Sequence, residues 1–282
     1  MPAEGIHLSA LADTVVGADS EIARLLDHER AAARLGAILV DFPYFDRFPM
    51  RTLYFAMKRP FPSSSWGDRL HQEAPARVGL ELLRCARAVE GFARPAALAM
   101  ALGYLSHAAV DTAIHPLVNR LARVRAKKNG TAPLVEHMDV EKFQSVLFHE
   151  KRMGRDLMGS PEIRGFIELD TALFLRALHP IVDQAFLNVF GANPSATTWR
   201  SWMRGYRQYS WVLGSPIGRL PAPDTDKARE KPALYDEVDF ESEFKVAVVR
   251  SRAYVTAGML FVEEDNAERY FASVPEGSID AG

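Results

Sequence analysis

Cysteine is almost absent. Cys85 is the one thiol in 282 residues, so no intrachain disulfide can form, and the framework that staples small secreted scaffolds is excluded. Its place in the apolar run of a helix reads as core filling. An excess of either charge is missing as well: Lys and Arg number 34 against 36 Asp and Glu. No global field gathers nucleic acid, and there is no acidic tail to repel it. The N-terminal MPAEGIHLSALADTVV has no basic segment ahead of an unbroken apolar one, so no secretory signal is read and a cytoplasmic location is expected. Strand-like alternation is nearly absent. No transmembrane segment is expected either, because the most apolar stretch, ALAMALGYLSHAAVDTAIHPLV, is interrupted by His107, Asp111 and His115, which suits a buried helix better than a lipid-facing one.

What is present is helical periodicity. Apolar residues at three and four spacing predict a short helix after Leu8 and helices over about 20–35, 76–92, 95–124, 138–158, 162–178, 181–190, 196–212 and 239–272. Between the second and third lies DFPYFDRFPMRTLYFAMKRPFPSSSWGDRLH, dense in proline and aromatics, with Asp41 at its start and His71 at its end. A loop that long in a compact domain tends to carry function. Residues 213–236 are rich in proline and charge and read as a long surface loop. With no internal repeat, the expected architecture is all-α, a single multi-helix bundle domain over 1–282 whose last helix packs back on the rest.

His107, Asp111 and His115 stand at i, i+4 and i+8, within about 80° of one helix face. Their neighbours are Ala, Val, Leu and Ile, and burying three ionisable groups among these is costly unless each is paired or bound to a metal. The outer two lie roughly 12 Å apart along the helix, too far to share one ion, so the helix should serve at least two metals with Asp111 between them. Ions roughly 3.5–4 Å apart are the usual arrangement for displacement at phosphorus. A second pair, His137 and Glu141, repeats the i, i+4 spacing on the following helix.

Two aromatic features admit two readings each. WRSWMRGYRQYSW places Trp199, Trp202, Tyr206 and Tyr209 at near-helical spacing with Arg200, Arg204 and Arg207 interleaved. This is either a peripheral membrane or base-stacking face, or, the favoured reading, core packing with a solvated arginine face. Phe42, Tyr44 and Phe45 directly follow Asp41 and form either an aromatic wall for a cationic head group or simple loop packing. His28, His149 and His179 lack a second ligand at helical spacing and read as surface or core histidines.

LGAILVDF around Asp41, WGDRLH ending at His71, ALGYLSHAAVDTAIHP with its His-x3-Asp-x3-His, and EHMDVE with its His-x3-Glu together resemble the zinc-dependent phospholipase C family, which is related to the single-strand-specific zinc nucleases. His7 in GIHLSA matches that family's N-terminal histidine ligand, and the resemblance spans roughly residues 5 to 145. It implies Asp41, His71, His107 and Asp111 around one zinc, His115, His137 and Glu141 around another, and a third ion shared by His7 and Asp111. It further implies a metal-activated water attacking a phospholipid or small phosphodiester, with Asp41 as a candidate base. The chain departs from the secreted members by lacking their processed N-terminal tryptophan and by the short step from Asp111 to His115. That step looks like the intracellular and glycosylphosphatidylinositol-phospholipase branches, which do not all cut the same bond. Histidine and carboxylate ligands also suit iron or manganese, so the same fold recruited to a different biosynthetic step, or a non-catalytic metal-stabilised protein, stays open.

Overall fold

A computed structural model describes residues 3–50, 65–154, 159–219 and 239–280, and among them every regular element is helical. Helices α1 (Ala3–Gly17), α2 (Ser20–His28) and α3 (Arg30–Ile38) lead into a 3-10 segment, Leu39–Phe45. Then come α4 (Ser65–Gln72), α5 (Pro75–Ala88), α6 (Ala93–Asn129) and α7 (Pro133–Met153). Helix α8 (Pro161–Ile167) is followed by a short α9 (Thr171–Leu173) that passes through a π turn, Phe174–Leu178, into α10 (His179–Phe190). The remaining helices are α11 (Ala196–Leu213), α12 (Phe240–Glu264) and α13 (Ala267–Ser273).

Helix α6 is the axis of the fold. It is long and apolar enough to cross a membrane, but 94% of its most apolar window is buried, because α1, α3, α5, α7 and α12 pack around it. Gly130 at φ 65° ends it in the left-handed conformation, and Pro133 in the first turn of α7 restarts the chain. That glycine-to-proline stop and start turns α7 back alongside α6. Two apolar clusters meet along α6. The larger takes its residues from Ala97 to Ala109 and adds Phe42, Phe45, Phe174, Trp199 and Tyr206. The smaller takes Val110 to Val118 and adds Ile6, Val140, Phe148 and Phe244. The polar stripe of His107, Asp111 and His115 lies at their border.

Several expected boundaries are corrected. His71 sits in the last turn of a helix, α4, rather than at the end of a loop, and Asp41 lies in the 3-10 segment among buried neighbours; residues 51–64 of the expected loop lie outside the described residues. The expected 20–35 helix is two helices parted at Glu29, whose ψ of 34° steps out of the helical range. The expected 239–272 helix breaks at Asp265, at φ 57°, after which the Asn266 side chain caps α13. The 162–178 helix breaks before Asp170, whose carboxylate accepts the Leu173 N–H. The first helix begins before Leu8, at Ala3. Of the expected 213–236 loop, Pro216–Arg219 forms a 3-10 turn and 220–236 lies outside the described residues.

Candidate metal centre

Helix α6 reaches the centre through its crossing with α3. A Cβ added at Gly36 would lie 1.9 Å from the Met100 carbonyl oxygen, and one at Gly103 2.0 Å from that of Ala33, so the backbones touch where both residues lack side chains. The crossing delivers the Ala37 carbonyl, one of the last carbonyls of α3, to His107 Nδ1 at 2.7 Å. His71 Nδ1 is held in the same way by the Gly67 carbonyl at 2.8 Å. Carbonyls only accept, so Nδ1 is the donor in both rings and Nε2 is turned inward.

The inward nitrogens converge on one carboxylate. Asp111 Oδ1 lies 3.3 Å from His7 Nε2 and 3.5 Å from His115 Nε2, while Oδ2 lies 2.9 Å from His107 Nε2 and 3.8 Å from His71 Nε2. Asp41 Oδ1 is 3.7 Å from His71 Nε2. On the other side, Glu141 Oε1 stands 3.4 Å from His115 Nε2 and 3.2 Å from His137 Nε2. The structure thus brings all eight sequence-expected ligands together, in three groups whose donor atoms lie within 4.8 Å of one another: His7, His107 and Asp111; Asp41, His71 and His107; and His115, His137 and Glu141. The grouping departs from the expected sets twice: Asp111 is not in the group of Asp41, His71 and His107, and His107 joins the pair of His7 and Asp111, so that one imidazole borders two groups.

These side chains fit a metal. Two donors held tetrahedrally by zinc stand about 3.3 Å apart, and most of the separations above cluster near that spacing rather than near a hydrogen-bond length. Among the described residues, His7 Nδ1 and Asp41 Oδ2 are buried without a hydrogen-bond partner, and His107 Nε2 and Asp111 Oδ2, though 2.9 Å apart, do not meet in hydrogen-bond geometry, a concentration that native interiors avoid unless something else satisfies the group. His7 and His107 stack with ring centroids 3.9 Å apart and planes at 12°, an approach two imidazolium rings would resist.

The metal-free electrostatics follow. Burial works against ionised Asp111, but His107, His115 and His7 outweigh it and hold the carboxyl well below its usual range. Burial lowers His107, yet Asp111 and Asp41 push it up to about 9. His115 is raised well above its ordinary value, its burial overcome by Asp111, Asp280 and Glu141. Glu141 is held down by His137 and His115 against its own burial. His7 goes the other way, to about 4, through burial and the neighbouring His107. With no ion, protons on His107 and His115 serve as the counter-charge.

Two of the three expected head-group aromatics are corrected. Phe42 and Phe45 are fully buried and pack edge-on against Tyr206, because the tight 3-10 winding turns them into the larger cluster. Tyr44 alone borders the centre, its hydroxyl 3.3 Å from His71 Nδ1. Trp199, Trp202, Tyr206 and Tyr209 are buried, with Arg200, Arg204 and Arg207 exposed, the core-packing arrangement. His28 is exposed, and His149 is a core histidine that packs on Gly5 and is lowered to about 4 by burial. Two residues the motifs did not include join the centre. Asn119 Oδ1 lies 2.9 Å from His137 Nδ1, and its position continues the four-residue rhythm of the stripe, a signal that was available. Asp280 Oδ1 lies 2.9 Å from His115 Nδ1, and no local pattern announces it.

Set beside known proteins, residues 7–181 match the model of the zinc-dependent phospholipase C family. No curated protein and no solved structure matches the chain.

Proposed function

The chain belongs to the zinc-dependent phospholipase C family, and from that premise we propose that it is a phosphodiester hydrolase acting on a phospholipid or a small phosphodiester. The observation that carries the reading is Asp111, whose two carboxylate oxygens face four imidazoles from three helices at the border of three ligand groups. Bound there, divalent ions supply Lewis acidity at phosphorus and lower the pKa of water to near neutrality.

The chain's own residues do the rest. Asp111 bridges the groups and fixes their spacing, while the Nδ1 hydrogen bonds of His71 and His107 hold their Nε2 lone pairs inward. Asp41, at 14% side-chain exposure against 4% for Asp111, is the carboxylate of the first groups that solvent reaches, which suits a base taking a proton from the attacking water. The three carboxylates Asp41, Asp111 and Glu141 do not neutralise two or three divalent ions, so the loaded centre is cationic and favours a phosphodiester anion.

Hydrolysis of a nitrophenyl phosphodiester tests this reading. Turnover is expected from the zinc-loaded chain, with loss to background after chelation, recovery on adding zinc, and at least a 100-fold loss in His107→Ala, as estimated from removal of an essential ligand. Full activity after both chelation and His107→Ala would sink it. Stoichiometric iron with little zinc and no phosphoesterase turnover would transfer the fold to a different reaction.

A further inference from the structure

The segment that follows α13 crosses the metal centre. The buried Ile279 donates its backbone N–H to the His71 carbonyl at 2.9 Å, and Ser278 Oγ donates to the same carbonyl at 3.3 Å. That carbonyl lies in the last turn of α4, where the helix offers it no partner. One residue further, Asp280 meets α4 and α6 at once. Its Oδ1 makes an ion-pair contact with His115 Nδ1 at 2.9 Å, and its Oδ2 accepts from Gln72 Nε2 at 3.3 Å. Its backbone carbonyl accepts from Asn119 Nδ2 at 2.6 Å, across 161 residues of sequence.

These contacts dictate where protons sit. A carbonyl only accepts, so the Asn119 amide must point its NH2 at Asp280 and therefore its oxygen at His137 Nδ1. An oxygen there requires Nδ1 of His137 to be the protonated nitrogen. The carboxylate of Asp280, 2.9 Å from His115 Nδ1 though outside hydrogen-bond geometry, sets the same preference there by charge, since a bare nitrogen lone pair would face an anion. Both rings are left with Nε2 facing Glu141, at 3.4 and 3.2 Å. Asp280 itself is on the Nδ1 edge of His115, away from the nitrogen that would meet an ion, so it is not placed as a ligand. The family match ends at residue 181, so this support comes from a part of the chain outside that match.

We propose that Asp280 is the positioning residue of the His115, His137 and Glu141 cluster: its carboxylate orients His115, and its carbonyl, through Asn119, orients His137. The proposal rests on reading that cluster as a metal site. Hydrogen bonds from the second nitrogen of a ligating histidine fix its tautomer and raise its basicity, and their loss typically weakens metal binding about 10–100-fold.

The test compares wild type, Asp280→Ala, Asp280→Glu and Asn119→Ala, each stripped of metal and titrated with zinc. Asp280→Ala is expected to bind the ion at this cluster about 10–100-fold more weakly, with Asp280→Glu recovering most of the loss. Nitrogen-15 and proton spectra of the zinc-loaded proteins should show the Nδ1–H protons of His115 and His137 carried downfield in wild type by the Asp280 carboxylate and the Asn119 oxygen beside them. The His115 signal should return toward the position of a free imidazole N–H in Asp280→Ala, and the His137 signal in Asn119→Ala. Glu276→Gln, in the same segment but paired with Arg77 on the surface, should leave zinc affinity and both Nδ1–H signals unchanged. Far-UV circular dichroism of the stripped variants separates lost positioning from lost folding, and if Asp280→Ala unfolds the folded Asn119→Ala carries the test, an unshifted His137 Nδ1–H signal in it overturning the proposal. Wild-type affinity and an unshifted His115 Nδ1–H signal in Asp280→Ala overturn the proposal and leave the metal cluster standing. A wild-type chain that takes up no zinc at His115, His137 and Glu141 overturns both.

Discussion

Four imidazoles around Asp111 decide how the centre behaves with and without an ion. With His107 raised to about 9 by Asp111 and Asp41 despite its burial, and His115 also raised, both rings carry protons at pH 7.5 on the nitrogens an ion needs. Zinc loading at that pH should therefore release protons, and the His107 share should vanish once the pH passes about 9. Calorimetric titration in two buffers of different protonation enthalpy counts them; a heat independent of buffer contradicts the assignment. The same shifts set the stability of the stripped chain. His107 is raised, so its contribution is complete below its ordinary 6.5 and is lost as pH rises through about 9. Asp111 and Glu141 are lowered, so theirs is present above the ordinary carboxylate range and is lost as pH falls through their folded values. His7, lowered to about 4, refuses a proton that the unfolded chain accepts below 6.5, which penalises the fold on the acid side. Melting of chelated protein from pH 4 to 10 should peak near about pH 6.5 and fall on both sides, and zinc should remove the alkaline fall by standing where the protons stood.

Between elements, the tightest constraint is the crossing of α3 and α6. A Cβ at Gly36 would meet backbone, the Met100 carbonyl oxygen at 1.9 Å, and a helical carbonyl cannot swing aside. Gly36→Ala should force the helices apart, destabilising the chain by about 1–3 kcal/mol and drawing the Ala37 carbonyl away from His107. A melting curve together with zinc content measures both losses, and a variant with wild-type melting and zinc content would remove this crossing from the account. The stripe on α6 was legible in the sequence because helix periodicity is local: four-residue steps put His107, Asp111 and His115 on one face whatever surrounds them. The same rhythm placed His137 and Glu141. The helix under His71 was not legible, since WGDRLH follows a proline- and serine-rich run that reads as loop. Nor was the break at Glu29, where no glycine or proline marks the end. Phe42 and Phe45 misled because an aromatic beside a ligand has the same local signature whether it lines a pocket or fills the core, and only the 3-10 winding decides.

At the scale of the whole molecule, the ligands come from α1, the 3-10 segment, α4, α6 and α7, with Asp280 reaching in from beyond α13. Distance along the chain is why this last contact could not be read from sequence: its partner lies 161 residues away, and no pattern of spacing spans such a gap. An ion held by residues so separated cross-links the fold, whereas the larger apolar cluster contains none of the ligands. Helical content should therefore survive chelation while thermal stability does not. An ion present at 100 times its Kd adds about 2.7 kcal/mol, which for a chain of this size raises Tm by roughly 4–5 °C. Chelated wild type is expected to keep its far-UV circular dichroism and melt lower by at least that amount, with recovery on adding zinc. His107→Ala, which removes the imidazole common to two ligand groups, should melt near the chelated value and gain less from zinc than wild type does. Equal melting with and without chelator would mean that the ligands do not bind an ion tightly, and the buried, unpartnered nitrogens and oxygens of the centre would then need another source of compensation.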